Sequence, residues 1–135
     1  MVNVGLKSVL VEVEVDVASA GFPDFAIVGL ADKAVNESKD RVKTAINNSG
    51  MEFPVKKITV NLAPADLPKM GAAFDLPIAV GVMTASGMVP DSLDGKIFFG
   101  ELGLDGGVRH TRGGLLVAIM AREQKFEEIF LPIES

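Results

Sequence analysis

The chain has 135 residues, the size of a single domain. Apolar residues make up 48% and charged residues 23% of it, which excludes disorder as the main description. The net charge of -5 argues against a protein that relies on attraction to nucleic-acid phosphates alone, and the absence of cysteine excludes disulfides, thiolate nucleophiles and cysteine-ligated metals.

The first half of the chain reads as two strands and a helix. Valine alternates with Glu12, Glu14 and Asp16 between Val9 and Val17, which predicts a strand with one buried and one acidic face. Ala18–Pro23 predicts a turn and Phe25–Leu30 a second strand, so we expect a hairpin. Spacings of three and four predict a helix over Ala31–Ser49, which Gly50 ends as a left-handed cap.

The second half continues the alternation of strands and helices. Lys57–Ala63 predicts a strand, and a Pro/Gly loop over Pro64–Gly71 leads to a second helix over Asp75–Ser86, with Asp75 as its N-cap. The remaining elements are a strand, a turn, a return strand, a third helix and a last strand, predicted at Ile97–Leu102, Gly103–Gly107, Val108–Arg109, Gly114–Gln124 and Glu128–Leu131. We therefore expect a single α/β (α+β) domain over residues 1–135, with helices packed on one mixed sheet in two layers.

The usual nucleotide-binding and metal-binding signals are missing. No GxxxxGK[ST] loop occurs, and Gly100–Gly107 has the composition of a tight turn rather than of a phosphate site. The acidic strand face could seat a cation, although a solvated face is the more common role of such a pattern. Glu101 follows Gly100 in an apolar strand, and we expect a structural role for it with Arg109 as its partner. No apolar stretch approaches the roughly 20 residues of a membrane span, so the expected location is the cytoplasm, without membrane contact.

Basic residues form small groups that could contact nucleic acid or a neighbouring subunit. The candidates for that contact are Lys56, Lys57, Lys69, Arg109 and Arg112. The junction GAAFD at Gly71–Asp75 has the shape of a site for acyl transfer, a strand end leading to a helix N-terminus, but it holds no serine or threonine. The residues by themselves predict a site for acyl transfer that lacks its nucleophile.

Three segments carry a resemblance to a known family. VGLADKAVNESKDRVKTAINNSG, FPVKKITVNLAPADLPKMGAAFDLPIAVGVM and GELGLDGGVR together resemble the N-terminal domain of the ComM/YifB family of magnesium-chelatase-like AAA+ ATPases. That domain is similar to the Lon peptidase domain and to a ribosomal-protein domain. The resemblance puts Ala73 at the position of the Lon serine and Leu115 at that of the Lon lysine, which implies a peptidase-like fold without peptidase activity.

The resemblance also implies partners that this chain does not contain. It implies that the chain is part of a longer ATPase, hexameric when complete, whose motor module binds ATP and magnesium, whereas this domain itself needs no cofactor or metal. The expected role is non-catalytic: help in ring assembly, or the handling of DNA during recombination and natural transformation. Two alternatives stay open, a divergent Lon-like serine peptidase that uses Ser86 or Ser92, and a stand-alone nucleic-acid-binding module.

Overall fold

A computed structural model describes residues 2–6, 9–63, 71–90, 96–109 and 128–130 of the chain. Its main sheet has six strands: β1 (Val2–Leu6), β2 (Val9–Ala18), β3 (Asp24–Val28), β4 (Lys57–Ala63), β5 (Lys96–Phe98) and β8 (Glu128–Phe130). Their spatial order is β3-β4-β2-β1-β5-β8. The β1–β2 and β2–β4 pairs are antiparallel, whereas the β3–β4, β1–β5 and β5–β8 pairs are parallel.

In the part of the chain that the structure describes, two helices cover one face of this mixed sheet. They are α1 (Asp32–Asn48) and α2 (Asp75–Ala85), and a single 3-10 turn over Gly71–Phe74 leads into α2. A short second sheet pairs β6 (Glu101–Leu102) with β7 (Val108–Arg109). The expected two-layer α/β architecture is confirmed.

Alternation along the strands decides which side chains form the core. Val11 and Val13 on β2 point inward with Ile58, Val60 and Leu62 on β4, and all five are almost completely buried. The helices bury their apolar positions against this face, which is why the spacing of α1 predicted it to within one residue at each end. Gly50 follows α1 with a φ of +87°, the left-handed conformation expected of a cap.

Three sequence-based expectations are wrong. The second and third strands form no hairpin: β4 lies between them, antiparallel to β2 and parallel to β3. The predicted strand over Ile97–Leu102 is two strands in different sheets, because Phe99 still bonds to Phe130 of β8 whereas Gly100 bonds to Ala73 and Leu76 at the start of α2. Asp75 is the first residue of α2 and not its N-cap, a position that Phe74 occupies.

Of the two strands near the ends of the chain, β1 was not predicted and β8 was. The sequence pattern did not reveal β1, whose VNVGL is short and ends beside glycine. The last strand is confirmed as β8, and the turn before β7 is closed by the Gly103 amide on the Gly107 carbonyl at 2.8 Å. The predicted helix over Gly114–Gln124 lies outside the described residues.

Candidate functional site

Ala73, which the resemblance aligns with the Lon serine, lies in the 3-10 turn before α2. Ala73 is 5% exposed there, and its carbonyl accepts a hydrogen bond from the Gly100 amide at 3.1 Å. Leu76, one turn later, donates its amide to the Gly100 carbonyl at 3.0 Å. Gly100 therefore holds this junction from both sides, and the methyl group of Ala73 offers no nucleophilic atom. Leu115, at the lysine position, lies outside the described part of the chain.

A buried carboxylate occupies the place where this junction meets α1. Asp75 is fully buried, and its two oxygens accept four hydrogen bonds from three residues. Arg41 donates Nε to Oδ2 at 2.5 Å and Nη2 to Oδ1 at 3.2 Å. Ser38 Oγ donates to Oδ1 at 2.8 Å, and the Leu102 amide donates to Oδ2 at 3.1 Å.

These contacts shift the protonation equilibria of both charged partners. Burial raises the pKa of Asp75 above its ordinary value of 3.8, while the hydrogen bonds from Arg41, Ser38 and Leu102 act in the opposite direction. The hydrogen bond to Asp75 raises the pKa of Arg41, against the effect of burial. The carboxylate is fully engaged in joining α1, α2 and β6, so its arrangement is that of a structural ion pair rather than of a general acid or base.

This ion pair was not predicted from the sequence. Arg41 lies 34 residues before Asp75, and neither the helical period nor the local motif relates them. The only signal was Ser38, a polar residue in the apolar stripe of α1, which the structure shows to be buried against Asp75. A polar residue at a core position needs a partner, and that rule could have prompted a search for one.

Those of the predicted basic residues that lie in the described part of the chain do not form one cluster. Lys56 and Lys57 are exposed at the start of β4, and Lys69 and Arg112 lie outside the described residues. Arg109 is exposed in β7, directly opposite Glu101 in the strand register, as expected for a structural pairing of these two residues.

A cleft beside β3 and α1 contains lysines that the sequence analysis did not select. Its volume is about 390 Å³. The cleft is lined by Pro23, Asp24, Phe25, Lys39, Asp40, Lys43, Phe53, Pro54, Val55 and Lys56. Lys56 is the one predicted basic residue among them. Lys39 and Lys43 lie one turn apart on α1, and this helical spacing could have identified them as neighbours of one surface.

Aromatic rings form one wall of the cleft. The rings of Phe25 and Phe53 lie 4.9 Å apart between their centroids, tilted by 41°. Lys39 Nζ lies 6.0 Å from the centre of the Phe25 ring, and Lys43 Nζ lies 5.9 Å from that of Phe53. These distances are at the limit of a cation–π contact, so each ring helps to position an ammonium group at the cleft.

The face of the sheet that the helices leave uncovered is acidic along β2. Glu12, Glu14 and Asp16 are all exposed there, and Asn61 Nδ2 on β4 donates to Glu14 Oε1 at 3.1 Å. Among the described residues, no three side chains of the metal-binding types come together to hold an ion. The acidic strand face predicted from the sequence is therefore present as an exposed surface.

Comparison with known sequences finds related proteins along nearly the whole chain. The profile of the family described as subunit ChlI of Mg-chelatase matches residues 13–135. The chain is 43% identical over 130 residues to competence protein ComM of Haemophilus influenzae, an alignment that covers 96% of this chain and 25% of that protein. It is 46% identical over 118 residues to the uncharacterized protein YifB of Escherichia coli, covering 87% of this chain and 23% of that protein.

The chain thus spans about a quarter of the length of the curated relatives it matches. An uncharacterized protein of Mycobacterium tuberculosis shows the same proportion, with 39% identity over 132 residues that cover 97% of this chain and 26% of the relative. No helix in the described part of the chain combines the length and the apolar character needed to cross a bilayer.

Proposed function

Because the chain belongs to the family of the Mg-chelatase subunit ChlI, which includes ComM and YifB, we propose that it is a non-catalytic N-terminal accessory domain of a longer ATPase. The longer protein would carry the site for ATP and magnesium in a separate AAA+ module and would act as a hexamer in the cytoplasm. This domain would help neighbouring subunits to assemble or would help the complex to handle DNA. The name of the Haemophilus influenzae relative, competence protein, supports a role in competence, and a part in recombination belongs to the same proposal.

One observation carries the non-catalytic part of the proposal. Ala73, at the position that the resemblance assigns to the Lon serine, has no hydroxyl group. The nearby side chain of Asp75 has both carboxylate oxygens occupied by hydrogen bonds from Arg41, Ser38 and Leu102. A serine peptidase needs a hydroxyl group beside a base that can take its proton. The described residues at this junction supply neither group in a free form.

The alternative nucleophile Ser86 is also poorly placed. Its hydroxyl donates to the Val82 carbonyl at 2.7 Å and lies 3.2 Å from that of Met83, so it bonds back onto the end of α2. Ser92 lies outside the described residues. The structure therefore offers no support for a peptidase mechanism through Ser86.

Labelling with a fluorophosphonate probe tests the absence of a nucleophile. We expect no covalent adduct by mass spectrometry on the wild-type chain, and the same result for Ser86→Ala and Ser92→Ala. An adduct that disappears in one of these variants would refute the non-catalytic role and identify the serine.

The accessory role is tested on the longer protein. Removal of residues 1–135 should leave basal ATP hydrolysis in place but reduce the hexameric fraction in sedimentation, or reduce the stimulation of ATP hydrolysis by DNA. If both quantities are unchanged, the domain has neither of the proposed roles.

A further inference from the structure

We propose that one corner of this domain docks onto the open sheet face of a second copy of the chain. The docking corner consists of Phe22, Lys39, Lys43, Val55 and Lys56. The receiving face consists of the exposed positions of β2, β3 and β4, with Glu12, Glu14 and Asp16 at its acidic side. The inference rests on the proposed accessory role and identifies the surfaces through which the domain would act in assembly.

The docking corner exposes large apolar side chains at its centre. Phe22 is 92% exposed and Val55 is 81% exposed. The two segments that carry them are adjacent, because the Asp24 amide donates to the Lys56 carbonyl at 3.2 Å and both segments line the same cleft. An aromatic and an aliphatic residue exposed on adjacent segments have the composition of the centre of a protein interface.

Basic side chains surround this apolar centre. Lys39 and Lys43 rest on the rings of Phe25 and Phe53, and Lys56 lines the same cleft. Within the described part of the chain, none of the three lysines forms an ion pair with a carboxylate. Their charges are therefore available to an acidic surface, and fixing lysine side chains that already contact the rings costs less conformational entropy than fixing free ones.

The receiving face has the complementary composition. Its acidic side is the row of carboxylates on β2, the charged pair Asp24 and Lys57 lies at one end of β3 and β4, and the positions between them are small, apolar or uncharged. Ala26 and Val28 on β3 lie beside Thr59 and Asn61 on β4 in the strand register, and Val28 is 52% exposed. A surface of small side chains next to a row of carboxylates can take an apolar side chain and pair with the lysines around it.

The charges favour a protein partner over nucleic acid. The whole chain carries a net charge of -5, and Asp24 and Asp40 line the same cleft as the lysines. A phosphate backbone would meet these carboxylates, whereas an acidic protein surface can place its charges opposite the lysines individually. A second copy of the chain supplies one such acidic surface for every docking corner.

The two surfaces consist of different residues. The docking corner includes α1, which packs on the covered face, while the receiving face is the uncovered one. A contact between two different surfaces is heterologous, so each copy keeps one corner and one face for further neighbours. Such a contact produces a ring when the rotation between copies closes.

Sedimentation velocity on the chain and two variants tests the docking. The corner variant carries Phe22→Ser, Lys39→Glu and Lys43→Glu, and the face variant carries Glu12→Lys, Glu14→Lys and Asp16→Lys. Lys33→Glu, an exposed change of the same charge at the far end of α1, is the matched control. Samples would span about 10 μM to about 1 mM protein at roughly 0.05 M and 0.5 M salt.

We expect the wild type and Lys33→Glu to associate alike, more weakly at the higher salt. Each variant alone should associate at least about tenfold more weakly. A mixture of the two variants should form a complex of one copy of each and nothing larger, because only one intact corner and one intact face remain. That complex also shows that both variants are folded.

Three results would overturn the proposal. They are a wild type that stays monomeric over the whole range, an association that neither variant weakens, and a mixture that forms no complex. An association unaffected by the variants refutes only the assigned surfaces. The accessory role itself is refuted if removal of residues 1–135 from the longer protein changes neither its hexameric fraction nor the stimulation of its ATP hydrolysis by DNA. Salt-dependent binding of an oligonucleotide that the corner variant abolishes, without loss of self-association, would assign the corner to nucleic acid instead.

Discussion

At the scale of single residues, Asp75 determines how the helices and the second sheet are joined. Its carboxylate lies 0% exposed between α1 and β6, where it bonds to the guanidinium of Arg41, the hydroxyl of Ser38 and the amide of Leu102. Local sequence rules suggested an N-cap, because aspartate at the start of a helix commonly bonds to the first-turn amides. The rule failed because a long-range partner satisfied the carboxylate instead.

Removal of either member of this ion pair should destabilise the fold. Arg41→Ala leaves the fully buried carboxylate of Asp75 without its charged partner, which costs about 3–5 kcal/mol in the free energy of unfolding, whereas Asp75→Ala leaves a partly exposed Arg41 and should cost less. Chemical denaturation measures the loss. Glu37→Ala is the control, since Glu37 is 53% exposed and lies 3.9 Å from Arg41, and it should cost less than about 1 kcal/mol. Equal losses for Arg41→Ala and Glu37→Ala would contradict the structural role of the buried pair.

The raised pKa of Asp75 predicts the sign of a pH effect. Its pKa is higher in the folded chain than in the unfolded chain, so the folded state takes up the proton first as the pH falls. This contribution to stability is complete below the ordinary value of 3.8 and is lost as the pH rises through the raised value.

The stability difference between the wild type and Asp75→Asn isolates this titration, because the other carboxylates are common to both chains. We expect the wild type to gain relative to the variant as the pH is lowered from neutral toward 3.8, measured by denaturation at each pH. A relative loss over the same interval would mean that the hydrogen bonds outweigh burial and lower the pKa.

At the scale of elements, hydrophobic period predicted what each segment is but not which segment it pairs with. The alternation in β2 and the spacing in α1 fixed their buried faces correctly, and Lys57–Ala63 is a strand with the predicted bounds. The predicted pairing of β2 with β3 was wrong, because a turn at Ala18–Pro23 is compatible both with a hairpin and with a connection to the far side of β4. Pairing depends on contacts between distant segments, which a local pattern does not contain.

The connection between β3 and α1 requires glycine at residue 29. Its φ is +103°, and a β-carbon there would lie 2.5 Å from the Leu62 carbonyl oxygen on the neighbouring strand. Gly29→Ala should therefore lower the free energy of unfolding by at least about 2 kcal/mol, from backbone strain and the forced separation of β3 from β4.

Gly50→Ala is the matched comparison for that substitution. Gly50 has a similar φ of +87°, but a β-carbon there would meet nothing within 4 Å. The cost should be about 1 kcal/mol, the conformational penalty alone. Thermal denaturation of the two variants gives the comparison, and an equal loss at both positions would show that contact with Leu62 is unimportant.

At the scale of the whole molecule, the fold class could be predicted from the sequence, whereas the candidate surfaces could not. Strands alternating with helices in a short chain leave few architectures, and the two-layer arrangement follows. The cleft brings together Lys39, Lys43 and Lys56 from α1 and the segment before β4, and only folding makes them neighbours. Sequence reasoning selected Lys56 because it precedes a strand, and missed the helix residues because their charges alternate with acids.

The 135-residue chain should not hydrolyse ATP in isolation. Its sequence contains no phosphate-binding GxxxxGK[ST] loop, and the glycines between Gly103 and Gly107 form a closed turn. Release of phosphate from Mg-ATP should remain at the rate of a blank without protein. Turnover that copurifies with the chain and is altered by a substitution within it would refute this expectation and, with it, the assignment of the motor to a separate module.

The central position of β1 has a consequence for synthesis on the ribosome. Asn3 pairs on one edge with Glu12, which follows soon after it in the chain, but on the other edge it pairs with Ile97, which is synthesised much later. Until that segment emerges, the outer edge of β1 presents unsatisfied amides and carbonyls to the surroundings of the nascent chain. Slow translation before residue 97 should therefore prolong the need for a chaperone, and fast translation should shorten it.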